Sequence, residues 1–177
     1  MDRAALALDN PLWQFSLRLY AEDGVAEACL ALQAERGIDV NLLLFCAWLG
    51  TVSCVELTPQ DLAEAKRVVA DWHGQVVQPL RRARVAIKLL TSASDPAIAQ
   101  LRQAIKSDEL AAEQVEQALL YRWAAARTSP SRHDGETLLR IDKNLRMLLA
   151  AHASGSATEV APSRLAVLLE ACRKMLR

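Results

Sequence analysis

Sixteen consecutive residues, Val40 to Val55 (VNLLLFCAWLGTVSCV), carry no charge. A helix through this run has no solvent-seeking face, so other elements must cover it on all sides. Asn41, Gly50, Thr51 and Ser53 lie within the run, which is too short and too polar for the ~20 apolar residues a bilayer span requires. The stretch therefore predicts a central helix over 40–54 in a globular interior and no membrane association. Gly37 suits the left-handed end of a preceding helix, and Asp39 suits the cap of the central one.

The flanking chain supplies the cover. Asn10-Pro11, Thr58-Pro59 and Asp95-Pro96 each pair a capping residue with a first-turn proline. Apolar residues recur at helical spacing after each pair, and also along Val25 to Arg36, 138–148 and 165–172. No β-alternation persists. The expectation is an all-α single domain over 1–177, with about seven or eight helices and surface loops near 128–136 and 153–163. At Pro79 a helix starts or bends, and the segment between Ile98 and Trp123 reads as one long helix or as two with a join near Ser107-Asp108, the join being favoured. Trp13, Leu17 and Tyr20 share one face, expected either to close the core or to meet another subunit.

Equal numbers of acids and bases, 21 of each, conceal a segregation. Residues 1–65 hold 10 acids and 3 bases, 66–106 hold 2 and 8, 107–120 hold 4 and none, and 121–177 hold 5 and 10. The simplest arrangement packs the acidic first third against the basic middle, within one chain or across a dimer. With no net charge and a pI near 6.8, nucleic-acid binding is not expected. Four cysteines without paired spacing, and an N-terminal apolar run of only Ala4 to Leu8, predict a reducing cytoplasm and buried, unreactive thiols.

Motifs for chemistry are absent. The sequence contains no GxxxxGK[ST], GxGxxG or GxSxG. Its three histidines form neither close Cys/His pairs nor Glu-x-x-His pairs, so no metal and no cofactor is expected. No catalytic residue is nominated and enzymatic activity stays open. The residues singled out for binding an anion or a partner are Arg81, Arg84 and Lys88, a cationic stripe on one helix, together with Trp72 as an apolar wall and Asn41 on the uncharged helix. Arg84 is expected to be structural and Arg81 to be available to a partner. Asp39 is read as a cap, Trp48 as core, and Asn41 as a cap, a partner of Gln33 or a ligand contact. Helical faces and segregated charge favour a protein-binding adaptor or homo-oligomer. The alternative is an inter-helix pocket for a small anionic molecule, bound or processed there.

The segments WQFSLRLY, GVAEACLALQ, GIDVNLLLFCAWL and W…VVQPLRRAR…K resemble a family of small proteobacterial proteins of unknown function. The resemblance covers roughly the first 90 residues, implies a bacterial cytosolic helical protein, and transfers no catalytic residue. A fainter resemblance, a Trp followed by a Pro-Leu-Arg helix, runs to squalene and phytoene synthase-type helices. Their paired Asp-rich diphosphate motifs are missing here. Glu109 and Glu113, the nearest spacing, are read as a solvated helix face.

Overall fold

A computed structural model describes residues 5–90, 95–127, 136–152 and 162–176. It shows an all-α fold, and no strand occurs among the described residues. The helices are α1 (Pro11–Tyr20), α2 (Val25–Arg36), α3 (Val40–Thr51), α4 (Pro59–Trp72), α5 (Gln78–Leu90), α6 (Pro96–Ala125), α7 (Thr137–Ala150) and α8 (Pro162–Met175). The expected loops at 128–136 and 153–163 fall almost wholly outside the described residues.

α3 is the centre. Every residue from Asn41 to Thr51 is buried, and α1, α2, α6 and α7 pack around the helix. It ends earlier than the 40–54 run predicts: Thr51 turns its hydroxyl back to the Ala47 carbonyl, and Cys54 takes a positive φ of 51°. The Val55 N–H then closes a wide turn on the Leu49 carbonyl. Beneath α3, Phe45 stacks on Trp48 and meets Trp123 edge-on, while Trp48 contacts Tyr121.

α3 crosses α7 at close range. A Cβ added at Gly50 would lie 2.8–2.9 Å from the Ile141 side chain and backbone, so only glycine lets these two helices approach so closely. One turn away, the fully buried Asn144 of α7 accepts from the Leu57 N–H and donates to the carbonyls of Val55 and Cys46. The backbone leaving α3 is thus satisfied by a side chain from another helix.

The predicted caps form. Asn10 accepts from the Trp13 N–H, Thr58 and Asp61 make a reciprocal capping box, and Asp95 accepts from the Ala97 N–H. The expected join at Ser107-Asp108 is absent, and α6 is one helix of 30 residues. Both residues are exposed there, and a polar pair on a solvated face, without Gly or Pro, does not interrupt a helix. α4 passes into α5 without a break, through a π-turn at His73–Val77. Pro79 has no N–H, and its ring conflicts with the carbonyl four residues back, so the ladder widens just before it.

Among the described residues the charge blocks pair within the chain, in an arrangement that differs from the expected one. The basic middle faces the 107–120 block: Arg81 and Arg84 of α5 pair with Glu109 and Glu113 of α6. The acidic first third pairs instead with the C-terminal segment, through Glu35–Arg164, Glu56–Lys143, Glu64–Arg127 and Glu22–Lys174.

Candidate functional site

A cavity of about 290 Å³ opens between α1, α2, α3, α5 and α6. Its walls are largely apolar: Trp13, Leu17 and Tyr20 from α1, Leu30 from α2, and Val40 and Leu44 from α3. The shared face of α1 is thus a cavity wall. Opposite stand Arg81, Arg84, Lys106, Glu109 and Glu113, with Ser16, Asn41 and Gln117 as polar points between them.

Arg81 donates through Nε to Glu109 (2.9 Å) and through Nη2 to Glu113, and Arg84 makes two hydrogen bonds to Glu109. Two guanidinium groups and two carboxylates cancel in charge. Glu109 is 5% exposed, which corrects the reading of this pair as a solvated acidic face. Burial alone would raise its carboxyl, but hydrogen bonds from Arg84 and Arg81 outweigh that and hold it below the ordinary value. For Glu113 burial prevails and the carboxyl is raised. Arg81 is the more enclosed of the two arginines, its side chain 17% exposed against 27% for Arg84. Its Nη1 nevertheless finds no partner.

Unpartnered buried polar atoms concentrate here. Among the described residues they are Ser16 Oγ, Arg81 Nη1, Gln117 Oε1 and the indole nitrogens of Trp48 and Trp123. The two indoles belong to the aromatic cluster of the core, whereas Ser16, Arg81 and Gln117 all line the cavity.

Behind the polar floor runs a chain of side chains. Gln117 Nε2 donates to Asn41 Oδ1 (2.9 Å), and Asn41 Nδ2 donates to Glu116 Oε2 (2.9 Å). Glu116 Oε1 lies 3.1 Å from His73 Nδ1, and the Gln78 carboxamide lies 2.9 Å from His73 Nε2. Asp39 joins from the start of α3: one oxygen accepts the Asn41 N–H, and the other stands 3.2 Å from His73 Nδ1. Burial first, then the charge and hydrogen bonding of Glu116, push the Asp39 carboxyl above its ordinary value. Hydrogen bonding to Glu116 likewise raises His73, against the opposing effect of burial.

A family model described as protein of unknown function DUF2390 matches residues 11–120. The chain belongs to this family. No curated protein and no solved structure matches the chain. The DUF2390 span contains the whole cavity lining and the Asp39–His73–Glu116 cluster. Among the described residues of this DUF2390 member, no helix is long and apolar enough to cross a membrane.

Of the residues nominated from sequence, Arg81, Arg84 and Asn41 meet at the cavity. Lys88 is exposed further along α5. Trp72 donates its indole N–H to the Ala112 carbonyl and fastens α4 to α6. Trp48 is core, as expected, at 4% exposure. Asn41 pairs with Glu116 and Gln117, not with Gln33. Ser16, Gln117, His73 and Glu116 were not nominated. A buried role for Glu116 was visible only as a carboxylate among Val115, Gln117 and Ala118, a weak signal within an amphipathic helix. The thiols of Cys29, Cys46 and Cys172 are buried, and desolvation pushes each up to about 12, where they are poor nucleophiles.

Proposed function

We propose that this protein binds a small organic molecule in the cavity between α1, α2, α3, α5 and α6. One observation carries the reading: three buried polar atoms without partners, Ser16 Oγ, Arg81 Nη1 and Gln117 Oε1, belong to residues that line this one cavity. Leaving such groups unpaired costs about 1 to 3 kcal/mol each, and a ligand that pairs them recovers that cost. Arg81 Nη1 asks for a carbonyl or carboxylate oxygen, Gln117 Oε1 asks for an N–H or O–H, and the Ser16 hydroxyl accepts either. Trp13 and Tyr20 suit a flat, mainly apolar body. Because Glu109 and Glu113 offset Arg81 and Arg84, the ligand is neutral or singly anionic, and Lys106 at the wall favours the anion.

The test is a calorimetric titration with aromatic carboxylates and aromatic amides of bicyclic size. A binder should lose at least about tenfold in affinity on Gln117→Leu, the loss of one buried hydrogen bond, while the variant stays folded with a lowered melting temperature, because Asn41 Oδ1 loses its donor. If no member of the panel binds, and native mass spectrometry of the freshly purified protein finds no bound small molecule, the reading fails.

A second observation favours protein docking. On the arm formed by α5 and the first half of α6, Leu89 is 78% exposed and Val85 and Leu101 are also exposed. Arg82, Lys88, Arg102 and Lys106 of the same two helices are also exposed. An apolar strip among cations fits an acidic amphipathic helix of another protein better than a second copy of the same basic arm. A partner identified by mass spectrometry after co-purification should be lost on Leu89→Asp and weakened on Lys88→Glu; equal recovery with both variants removes this reading.

A further inference from the structure

Asp39, His73 and Glu116 come from three parts of the chain, the cap of α3, the π-turn after α4 and the middle of α6. Their ligand-type atoms all lie within 4.8 Å of one another. His73 Nδ1 is 3.2 Å from Asp39 Oδ2 and 3.1 Å from Glu116 Oε1. Donors around a divalent ion at about 2.1 Å, separated by angles between about 90° and 109°, stand about 3.0 to 3.4 Å from each other. The two separations measured from His73 Nδ1 match edges of such a polyhedron.

The geometry points to a divalent first-row transition-metal site formed by Asp39 Oδ2, His73 Nδ1 and Glu116 Oε1. Charge supports it. Two carboxylates, one of them fully buried, adjoin a single imidazole, and a divalent cation neutralises both where one imidazolium neutralises only one. Orientation supports it as well, since the atoms behind the ligands are already held. Asp39 Oδ1 accepts the Asn41 N–H, Glu116 Oε2 accepts from Asn41 Nδ2, and His73 Nε2 abuts the Gln78 carboxamide. Such outer contacts fix ligand rotamers and imidazole tautomer at metal centres. With Nδ1 on the metal, the ring proton sits on Nε2, and Gln78 receives it on its carbonyl oxygen after a half-turn of the carboxamide.

The π-turn, which Pro79 already accounts for, sets the position of the His73 ring. A widened turn inside a long helix is commonly found at functional sites, and here it begins at His73 itself. One nitrogen and two carboxylate donors with no thiolate select zinc, manganese or iron(II) over copper(I), and the imidazole disfavours magnesium and calcium. The His73 side chain keeps 19% of its surface exposed, which leaves a way in for the ion and room for water to complete its shell. The site shares only Asn41 with the organic-ligand cavity and stands or falls separately from it.

The experiment uses full-length protein stripped with chelator and titrated with Co²⁺ as a visible-absorption probe, then with Zn²⁺ in competition. One equivalent of Co²⁺ should give a ligand-field spectrum that Zn²⁺ abolishes, and Zn²⁺ should raise the melting temperature. His73→Gln and Glu116→Gln should remove the spectrum. Gln78→Ala, which alters no ligand and tests the site if those variants misfold, should weaken binding about 10- to 100-fold. Ser16→Ala should leave it unchanged. Absence of the Co²⁺ spectrum and of Zn²⁺ stabilisation in the wild type overturns the assignment, as does metal binding that persists through all three site variants.

Discussion

Asp39 uses its two carboxylate oxygens for two purposes: one accepts the Asn41 N–H and caps α3, and the other stands 3.2 Å from Nδ1 of His73. The helix start and the buried polar cluster therefore share a residue. Substitution can separate the two roles. Asp39→Asn keeps a capping oxygen, whereas Asp39→Ala removes it, so the alanine variant should be less stable by about 1 kcal/mol. Equal urea midpoints for the two would show that the cap contributes nothing.

Glu109 should govern part of the acid-side stability. Its folded carboxyl is held below the ordinary 4.5. The ionised form accordingly contributes stability that is present above the unfolded value and lost as pH falls through the lowered folded value. Glu109→Gln should cost roughly 1 to 3 kcal/mol near neutrality, somewhat below the range for a fully buried pair, because Arg84 remains partly exposed. The gap between wild type and variant should narrow as pH drops below 4.5. A gap that is constant or widens on acidification contradicts the assignment.

Trp48 packs against Phe45 and Tyr121 at 4% exposure. Trp48→Ala should destabilise by about 3 to 5 kcal/mol, the range for large aromatic truncations in packed interiors. A loss below about 1 kcal/mol would contradict its place in the core.

Gly50→Ala adds a carbon that would lie 2.8–2.9 Å from the Ile141 side chain and backbone, inside van der Waals contact. Overpacking of this kind costs about 1 to 3 kcal/mol. Pairing it with Ile141→Val should recover little, because the Ile141 backbone is as close as its side chain. Full rescue by the double variant would mean that the side chain alone sets the separation.

The fold was legible where a local rule acts. Sixteen uncharged residues require cover, a capping residue followed by proline starts a helix, and a glycine after an apolar stripe ends one. Each of these signals lies within a few positions. Ser107-Asp108 misled because polarity on an exposed helical face resembles polarity at a break until the neighbours are known. The site was half legible. Arg81 and Arg84 show as a stripe at helical spacing, and Asn41 stands out on an uncharged helix. His73 and Glu116 do not, because they are 43 residues apart and neither occupies a local metal-ligand pattern. Only the path of α6 past the π-turn brings them together.

Asn144 gives the family boundary a physical meaning. The DUF2390 match ends at residue 120, yet the carbonyls of Cys46 and Val55 and the N–H of Leu57 are paired by the Asn144 side chain, 24 positions beyond it. A chain cut at that boundary would leave the exit of its innermost helix unpaired and strip Ile141, Leu145 and Leu148 from the core around it. α7 and α8, which lie beyond the matched span, therefore complete the core that holds α3, and with it the Val40, Asn41 and Leu44 wall of the cavity.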